Sequence, residues 1–141
     1  MSVETIHEEA FNLLCGDLIG EGESRRVFEC KIRPDLVVKV EEADFRIFAN
    51  VIEQKLFDDT KDIQAISKWL APCEFLSPDG RILLQRKCDP VPSSFKLPDK
   101  VPEFLGDLKR ENFGVLGKKL VCVDYGIYFS TISTKLVKAG W

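Results

Sequence analysis

The chain has no Cys-x-x-Cys pair, no apolar run approaching membrane length, no face of a single charge sign and no internal repeat, and each absence removes a class of protein. Its five cysteines, Cys15, Cys30, Cys73, Cys88 and Cys122, are odd in number and widely spaced, which fits neither a disulfide framework nor a zinc site. They read as buried thiols in a reducing compartment. Nowhere do the roughly 18 to 20 apolar residues of a membrane span occur, and the opening Met1-Ser2-Val3-Glu4 lacks a basic region followed by an apolar one. The expectation is a cytoplasmic protein with no membrane partner. A net charge of −3, from 20 basic and 23 acidic residues of mixed order, supplies no basic face to neutralise phosphates and argues against nucleic acid as a partner. The single histidine, His7, falls on a predicted helix and is assigned no chemistry.

What is present suits one α+β domain over residues 1–141, since 141 residues at 45% hydrophobic content can bury one ordinary core. Val3, Ile6, Ala10, Phe11 and Leu14 recur at helical spacing after Ser2, a possible N-cap, and Gly16 is a plausible stop. Branched runs follow at Leu18-Ile19, at Val27-Phe28 with Cys30 and Ile32, and at Leu36 to Val40. Turns at Gly20-Glu21-Gly22 and Arg33-Pro34-Asp35 divide them, which predicts a three-stranded antiparallel meander. A second helix is predicted over Asp44 to about Phe57, with Phe45, Phe48, Ile52 and Leu56 as its stripe and Ile47 and Val51 beside it. A shorter one is expected from Asp62 to Leu70, then a hairpin of Cys73–Leu76 and Arg81–Arg86 about Ser77-Pro78-Asp79-Gly80. Pro90, Pro92, Pro98 and Pro102 exclude a long helix between Asp89 and Pro102. Phe113-Gly114-Val115 and Leu120–Val123 should form another hairpin about Gly117-Lys118-Lys119, while the tail after Gly126 has no clear pattern.

Several residues on these elements could carry chemistry. Gly20-Glu21-Gly22 followed by Val27 gives G-x-G-x-x-x-x-V between two strands, a turn whose amides can approach a phosphate because no Cβ intervenes; a tight hairpin would use the same glycines. Lys39 lies in an apolar strand and either projects toward that turn, where its ammonium could reach phosphates, or faces solvent. Glu53, near the middle of the second helix, is the candidate carboxylate to hold Lys39, because Glu41 and Glu42 follow the strand too closely to fold back; a surface position for Glu53 stays open. Gly106-Asp107-Leu108-Lys109-Arg110-Glu111-Asn112 and Asp124-Tyr125-Gly126 are separated by the predicted hairpin. Each alone could be a charged surface turn or a strand-end turn. Together they could supply the hard oxygens that Mg²⁺ requires.

Asp107 and Asn112 reproduce the D-x-x-x-x-N of the kinase catalytic loop, and Asp124-Tyr125-Gly126 is similar to the D-F-G metal motif. With the glycine turn and Lys39 they make the chain, from about residue 17 to residue 126, resemble the protein-kinase-like superfamily in minimal form, as in small phage-encoded proteins. The resemblance implies a kinase-like N-lobe with an antiparallel sheet and a helix over 1–88, and a severely reduced C-lobe over 89–141. In the roles it implies, Gly20 and Gly22 cover the phosphates of ATP, Val27 lids the base, Lys39 holds phosphate oxygens and Glu53 orients Lys39. Asp107 would accept a proton from the attacking hydroxyl, Lys109 would neutralise the transferred group, and Asn112 with Asp124 would hold Mg²⁺.

The pattern also departs from the family. Arg25 stands at the third loop glycine, where relaxation is expected to matter little. Leu105-Gly106 replaces His-Arg before Asp107, and Gly-Asp-Leu is similar to small-molecule kinases, which leaves a kinase of that kind as a further option. Tyr125 keeps the aromatic ring of D-F-G. Residues 127–141 give no room for an activation segment or peptide-binding lobe, and a site without its supporting shell should lose much of its rate. The expectation is therefore a degenerate kinase that binds Mg-nucleotide with weak or no phosphotransfer by itself. The alternative is a phage-type interaction or inhibitor protein that uses the scaffold to bind a host or defence protein. Trp141 would then be either its exposed anchor or a residue docked on its own domain.

Overall fold

The computed structural model describes residues 3–42, 48–126 and 132–141, with side chains from Glu8 onward. The proposed cap Ser2, the helix residues Asp44, Phe45 and Ile47, and the side chains of Val3, Ile6 and His7 lie outside the described residues.

Helix α1 (Val3–Leu14) runs directly into strand β1 (Cys15–Glu21), so Gly16 is a strand residue and not a helix stop. A Cβ there would come within 3.2 Å of the Glu29 carbonyl oxygen on the neighbouring strand. Strands β2 (Arg25–Cys30) and β3 (Leu36–Glu41) complete the expected antiparallel meander. Every residue of β3 is buried, because both of its faces are covered. Leu36, Val38 and Val40 join Cys15, Phe28 and Cys30 in a cluster that Phe11 and Leu14 of α1 pack against. The alternate residues Val37, Lys39 and Glu41 point to the opposite face, as the two-residue period of a strand requires.

That opposite face carries helix α2 (Ala49–Thr60). Its buried residues are Ala49, Asn50, Glu53, Leu56 and Thr60, so among the described residues of the expected stripe only Leu56 is buried, while Phe48 is 59% exposed and Val51 is also exposed. The hydrophobic period misplaced the inner face because α2 turns charged and amide groups, not apolar ones, toward β3. Short helix α3 (Gln64–Ser67) ends before Leu70. The backbone beyond it is used otherwise, with Trp69 accepting from the Cys122 amide at 2.7 Å and Ala71 donating to the Cys122 carbonyl at 2.9 Å.

Strands β4 (Cys73–Leu76) and β5 (Ile82–Arg86) form the expected hairpin, with Gly80 at φ +76° in its turn. β5 pairs with β3, which gives a five-stranded antiparallel sheet in the order β1-β2-β3-β5-β4. No long helix occurs between Asp89 and Pro102. Strand β6 (Lys100–Pro102) is followed by a single 3-10 turn, Arg110–Asn112, and then by the hairpin of β7 (Phe113–Leu116) and β8 (Lys119–Cys122), with Gly117 at φ +66°. The tail returns as β9 (Leu136–Lys138) to pair with β6. One apolar cluster spans both halves of the chain, joining Leu56, Ile66, Cys73 and Leu83 to Phe104, Leu105, Phe113, Leu120 and Tyr125. No described helix is long and apolar enough to cross a membrane. All five cysteines are free, and only Cys88 among them is not buried.

Candidate functional site

Lys39 and Glu53 meet beneath the sheet. The Lys39 ammonium donates to Glu53 Oε1 and to the Val123 carbonyl oxygen. Glu53 is wholly buried and surrounded by donors. Its Oε1 also accepts from Gln85 Nε2 at 3.2 Å, and its Oε2 accepts from Arg25 Nη2 at 2.9 Å and from the Tyr125 amide at 3.1 Å. Burial opposes the charge on Glu53, but the neighbouring Lys39 and Arg25 outweigh it and hold the carboxyl below its ordinary value.

Arg25 ties three elements together. Its Nη2 also donates to Asp124 Oδ1 at 2.6 Å, and its Nη1 donates to Asn50 Oδ1 at 3.2 Å. Burial disfavours the guanidinium charge, and the carboxylates of Glu53, Asp124 and Glu41 more than compensate. The expectation that Arg25 matters little is corrected by this geometry. A signal for it was available: antiparallel register places Val27 opposite Lys39 and Arg25 opposite Glu41, so a lysine turned toward α2 brings Arg25 to the same face.

Glu41, which as expected is not the partner of Lys39, has a role the sequence did not suggest. Its two carboxylate oxygens accept from the Ala49 and Asn50 amides at 2.9 and 2.8 Å, which satisfies orphan donors of the α2 N-terminus and places a negative charge at the positive end of the helix dipole. Asn50 fixes the helix further, donating to the carbonyls of Lys39 and Gly80 at 3.1 Å each. Glu53 therefore arrives under Lys39 because α2 is pinned to the end of β3.

The far wall comes from the β7–β8 hairpin. The Val123 amide donates to the Asn112 carbonyl at 2.8 Å, which sets Asp124 beside Asn112 at the hairpin's base. Tyr125 is buried, its hydroxyl donating to the Ala71 carbonyl at 2.6 Å. Gly126 passes so close to α2 that a Cβ would stand 2.8 Å from the Ala49 carbonyl oxygen and 3.0 Å from Glu53 Oε2. Only glycine lets the Tyr125 amide reach Glu53 at this approach.

Between these walls lies a cleft of about 500 Å³, within the range of small-molecule sites. Ile19, Val27 and Val37 give it an apolar side, while Arg25, Lys39 and Arg86 supply cations and Glu21, Glu111 and Asp124 supply carboxylates. Of the residues singled out by sequence, Gly20, Gly22, Val27, Lys39, Asn112 and Asp124 line this cleft, and Glu53 stands behind Lys39. Asp107 and Lys109 are not among its lining residues. Asp107 is half-buried, its carbonyl accepting a long 3.4 Å contact from Asn112 Nδ2, and Lys109 is exposed. The cleft can take an anion with an apolar appendage, because Arg25 and Lys39 are held in place by Glu53 behind them.

A divalent ion fits these residues less well. One oxygen of Asp124 is taken by the Arg25 guanidinium, and no described group of three or more His, Cys, Asp or Glu side chains converges to hold a metal. No protein-family model matches the chain, and comparison with curated proteins gives no match either.

Proposed function

We propose that the chain is a minimal kinase-like protein whose cleft binds a nucleotide, with phosphotransfer weak or absent. The observation that carries the reading is the buried Lys39–Glu53 pair, set between the glycine turn of β1 and β2 and the Asp124 wall. Three strands, a helix bearing the carboxylate, then two strands is the order that resemblance to a kinase nucleotide-binding lobe implies. The base would lie against Ile19, Val27 and Val37, and the phosphates would meet Lys39 beneath Gly20 and Gly22. Weak transfer follows from the positions of Asp107 and Lys109 outside the cleft lining, since phosphoryl transfer depends on placing the acceptor in line.

Thermal unfolding across an ATP series tests the reading, because a ligand that binds only the native state must raise the melting temperature, by about 2.7 kcal/mol of stability at a hundredfold excess over Kd. Val27→Trp, which fills the apolar side of the cleft, should abolish the rise. An unmoved melting temperature at millimolar ATP, with and without magnesium, would sink the proposal.

A second reading has its own support, although not from Trp141. The Trp141 ring packs edge-on against Phe113 with centroids 5.2 Å apart, and its Nε1 donates to the Pro98 carbonyl at 2.8 Å, so it is docked on its own domain. The surface that invites a partner is an apolar hollow of about 340 Å³ lined by Trp69, Phe95, Pro98 and Leu120 and by Lys68, Lys96 and Lys119. An adjoining hollow shares Lys68 and Lys119 and adds Lys61. No described Asp or Glu lines either, and the buried Trp69 Nε1 has no partner. We infer an acidic protein segment with an aromatic or aliphatic anchor as occupant. A Glu-rich peptide carrying one Phe should bind and be lost on Lys68→Glu with Lys119→Glu; equal binding of a single-stranded oligonucleotide would instead assign the surface to nucleic acid.

A further inference from the structure

The Arg25–Asp124 contact bears on what the cleft binds. Asp124 is the carboxylate that a metal-dependent site would need, yet its Oδ1 accepts from a guanidinium at 2.6 Å. That guanidinium is only 9% exposed and is fixed from behind by Glu53 and Asn50, whereas the Asp124 side chain is 51% exposed. Of the two partners, Asp124 is the one free to leave. Arg25 and Lys39 carry two positive charges, and Glu53 and Asp124 carry two negative ones, so the group is neutral as it stands.

A divalent ion placed at Asp124 would sit beside a cation that cannot move away, and it would have to share or displace that hydrogen bond. A phosphate meets that guanidinium directly, with Glu21 and Glu111 as the other carboxylates lining the cleft. Guanidinium matches phosphate oxygens in a planar fork, and when Asp124 turns toward water its place beside Arg25 can be taken by a phosphate oxygen. Lys39 stands in the same cleft to meet a second oxygen.

Resting on the nucleotide reading, we propose that Arg25 is the resident cation of this cleft: it binds the metal-free polyphosphate of a nucleotide in the role a divalent ion would otherwise fill, with Asp124 as the exchangeable stand-in for that phosphate. Magnesium then competes with Arg25 for the phosphates and does not assist binding.

Calorimetric titration of ATP into the full chain, in EDTA and in excess magnesium, tests this. The expected result is a Kd in EDTA equal to or lower than that in magnesium. Asp124→Asn, with its fold checked by circular dichroism, should tighten metal-free binding several-fold by releasing Arg25 from its carboxylate. Arg25→Met should abolish metal-free binding, with circular dichroism confirming the fold. Binding at least tenfold tighter in magnesium, lost on Asp124→Asn, would make Asp124 a metal ligand and overturn the proposal while leaving the nucleotide cleft standing. Absence of binding under both conditions removes the nucleotide reading itself, and this inference with it.

Discussion

Replacing Glu53 by glutamine keeps the shape of a fully buried side chain and deletes the charge that Lys39 and Arg25 share. Each carboxylate oxygen receives donors: Lys39 and Gln85 at Oε1, Arg25 and the Tyr125 amide at Oε2. A glutamine in either orientation must therefore point its NH₂ at Lys39 or Arg25 and leave two buried cations without their common anion. Breaking a buried ion pair in this way costs about 3 to 5 kcal/mol. With a urea slope of about 2 kcal/mol per molar, the unfolding midpoint should fall by roughly 2 M. The pH dependence supplies an independent check. The Glu53 carboxyl is held below its ordinary value of 4.5, so the unfolded chain takes up the proton first as the solution is acidified. Its contribution is complete above that ordinary value and is lost as pH falls through the lower folded value. The wild-type and Glu53→Gln midpoints, far apart at neutral pH, should approach each other in acid. A midpoint shift corresponding to less than about 1 kcal/mol at pH 7, or one that does not shrink in acid, would refute the view that Glu53 anchors two cations.

Gly126→Ala should destabilise by about 1 to 3 kcal/mol, because its Cβ would stand 2.8 Å from the Ala49 carbonyl oxygen, whereas Gly106→Ala, with nothing within 4 Å, should be close to neutral; equal urea midpoints for the two would remove the close-approach explanation. Trp141→Ala should cost about 1 to 2 kcal/mol through lost packing on Phe113 and the lost Pro98 hydrogen bond, and an unchanged midpoint would mean that the tail does not dock in solution. Burial pushes the Cys73 and Cys122 thiols up to about 12 and the half-buried Cys88 up to about 11, so at pH 8 a thiol-reactive dye should label the native protein slowly, at Cys88 first, and label all five cysteines quickly in urea. Prompt labelling of Cys73 or Cys122 in the native chain would contradict that burial.

The strands of the meander and of both hairpins were legible in number and order because branched runs are broken by Gly, Pro and Asp turns, but not in detail: β1 takes in Gly20 and Glu21, which the sequence places in the turn, and pairs with β2 through two irregularities. Helix α2 was legible as a helix but not in its orientation. Apolar periodicity points Phe48 and Ile52 inward, yet the face that docks carries Asn50 beside Glu53; Glu53 was legible as the candidate partner of Lys39, whereas the contact of Asn50 with Arg25 on β2 spans 25 residues. Arg25 could have been placed on the Lys39 face from the β2–β3 register, but its bond to Asp124, 99 residues away, could not have been read. β9 could not be read at all. Three residues, Leu136-Val137-Lys138, pair with Lys100–Pro102, and such a short ladder is decided by tertiary context.

A sheet needs no lysine at the centre of a fully buried strand, and well-packed apolar residues in place of a buried ionic group are often as stable or more so. The cluster around Glu53 is better explained by what it does for the cleft. Cations that are to meet an anion lose affinity if their side chains must first be ordered, and Glu53, Asn50 and Gln85 impose that order in advance from the wholly buried side. Asp124, on the exposed side, balances the one positive charge that Arg25 and Lys39 would otherwise carry in excess of Glu53. Such an arrangement favours holding a phosphate over moving one. Transfer requires an acceptor held within about 3 to 3.5 Å of the reacting phosphorus and a base beside it. Asp107, the residue proposed for that base, is half-buried outside the cleft lining, with its backbone carbonyl engaged by Asn112. On the nucleotide reading proposed above, binding and chemistry would be separable, and the pre-ordered cations would belong to binding.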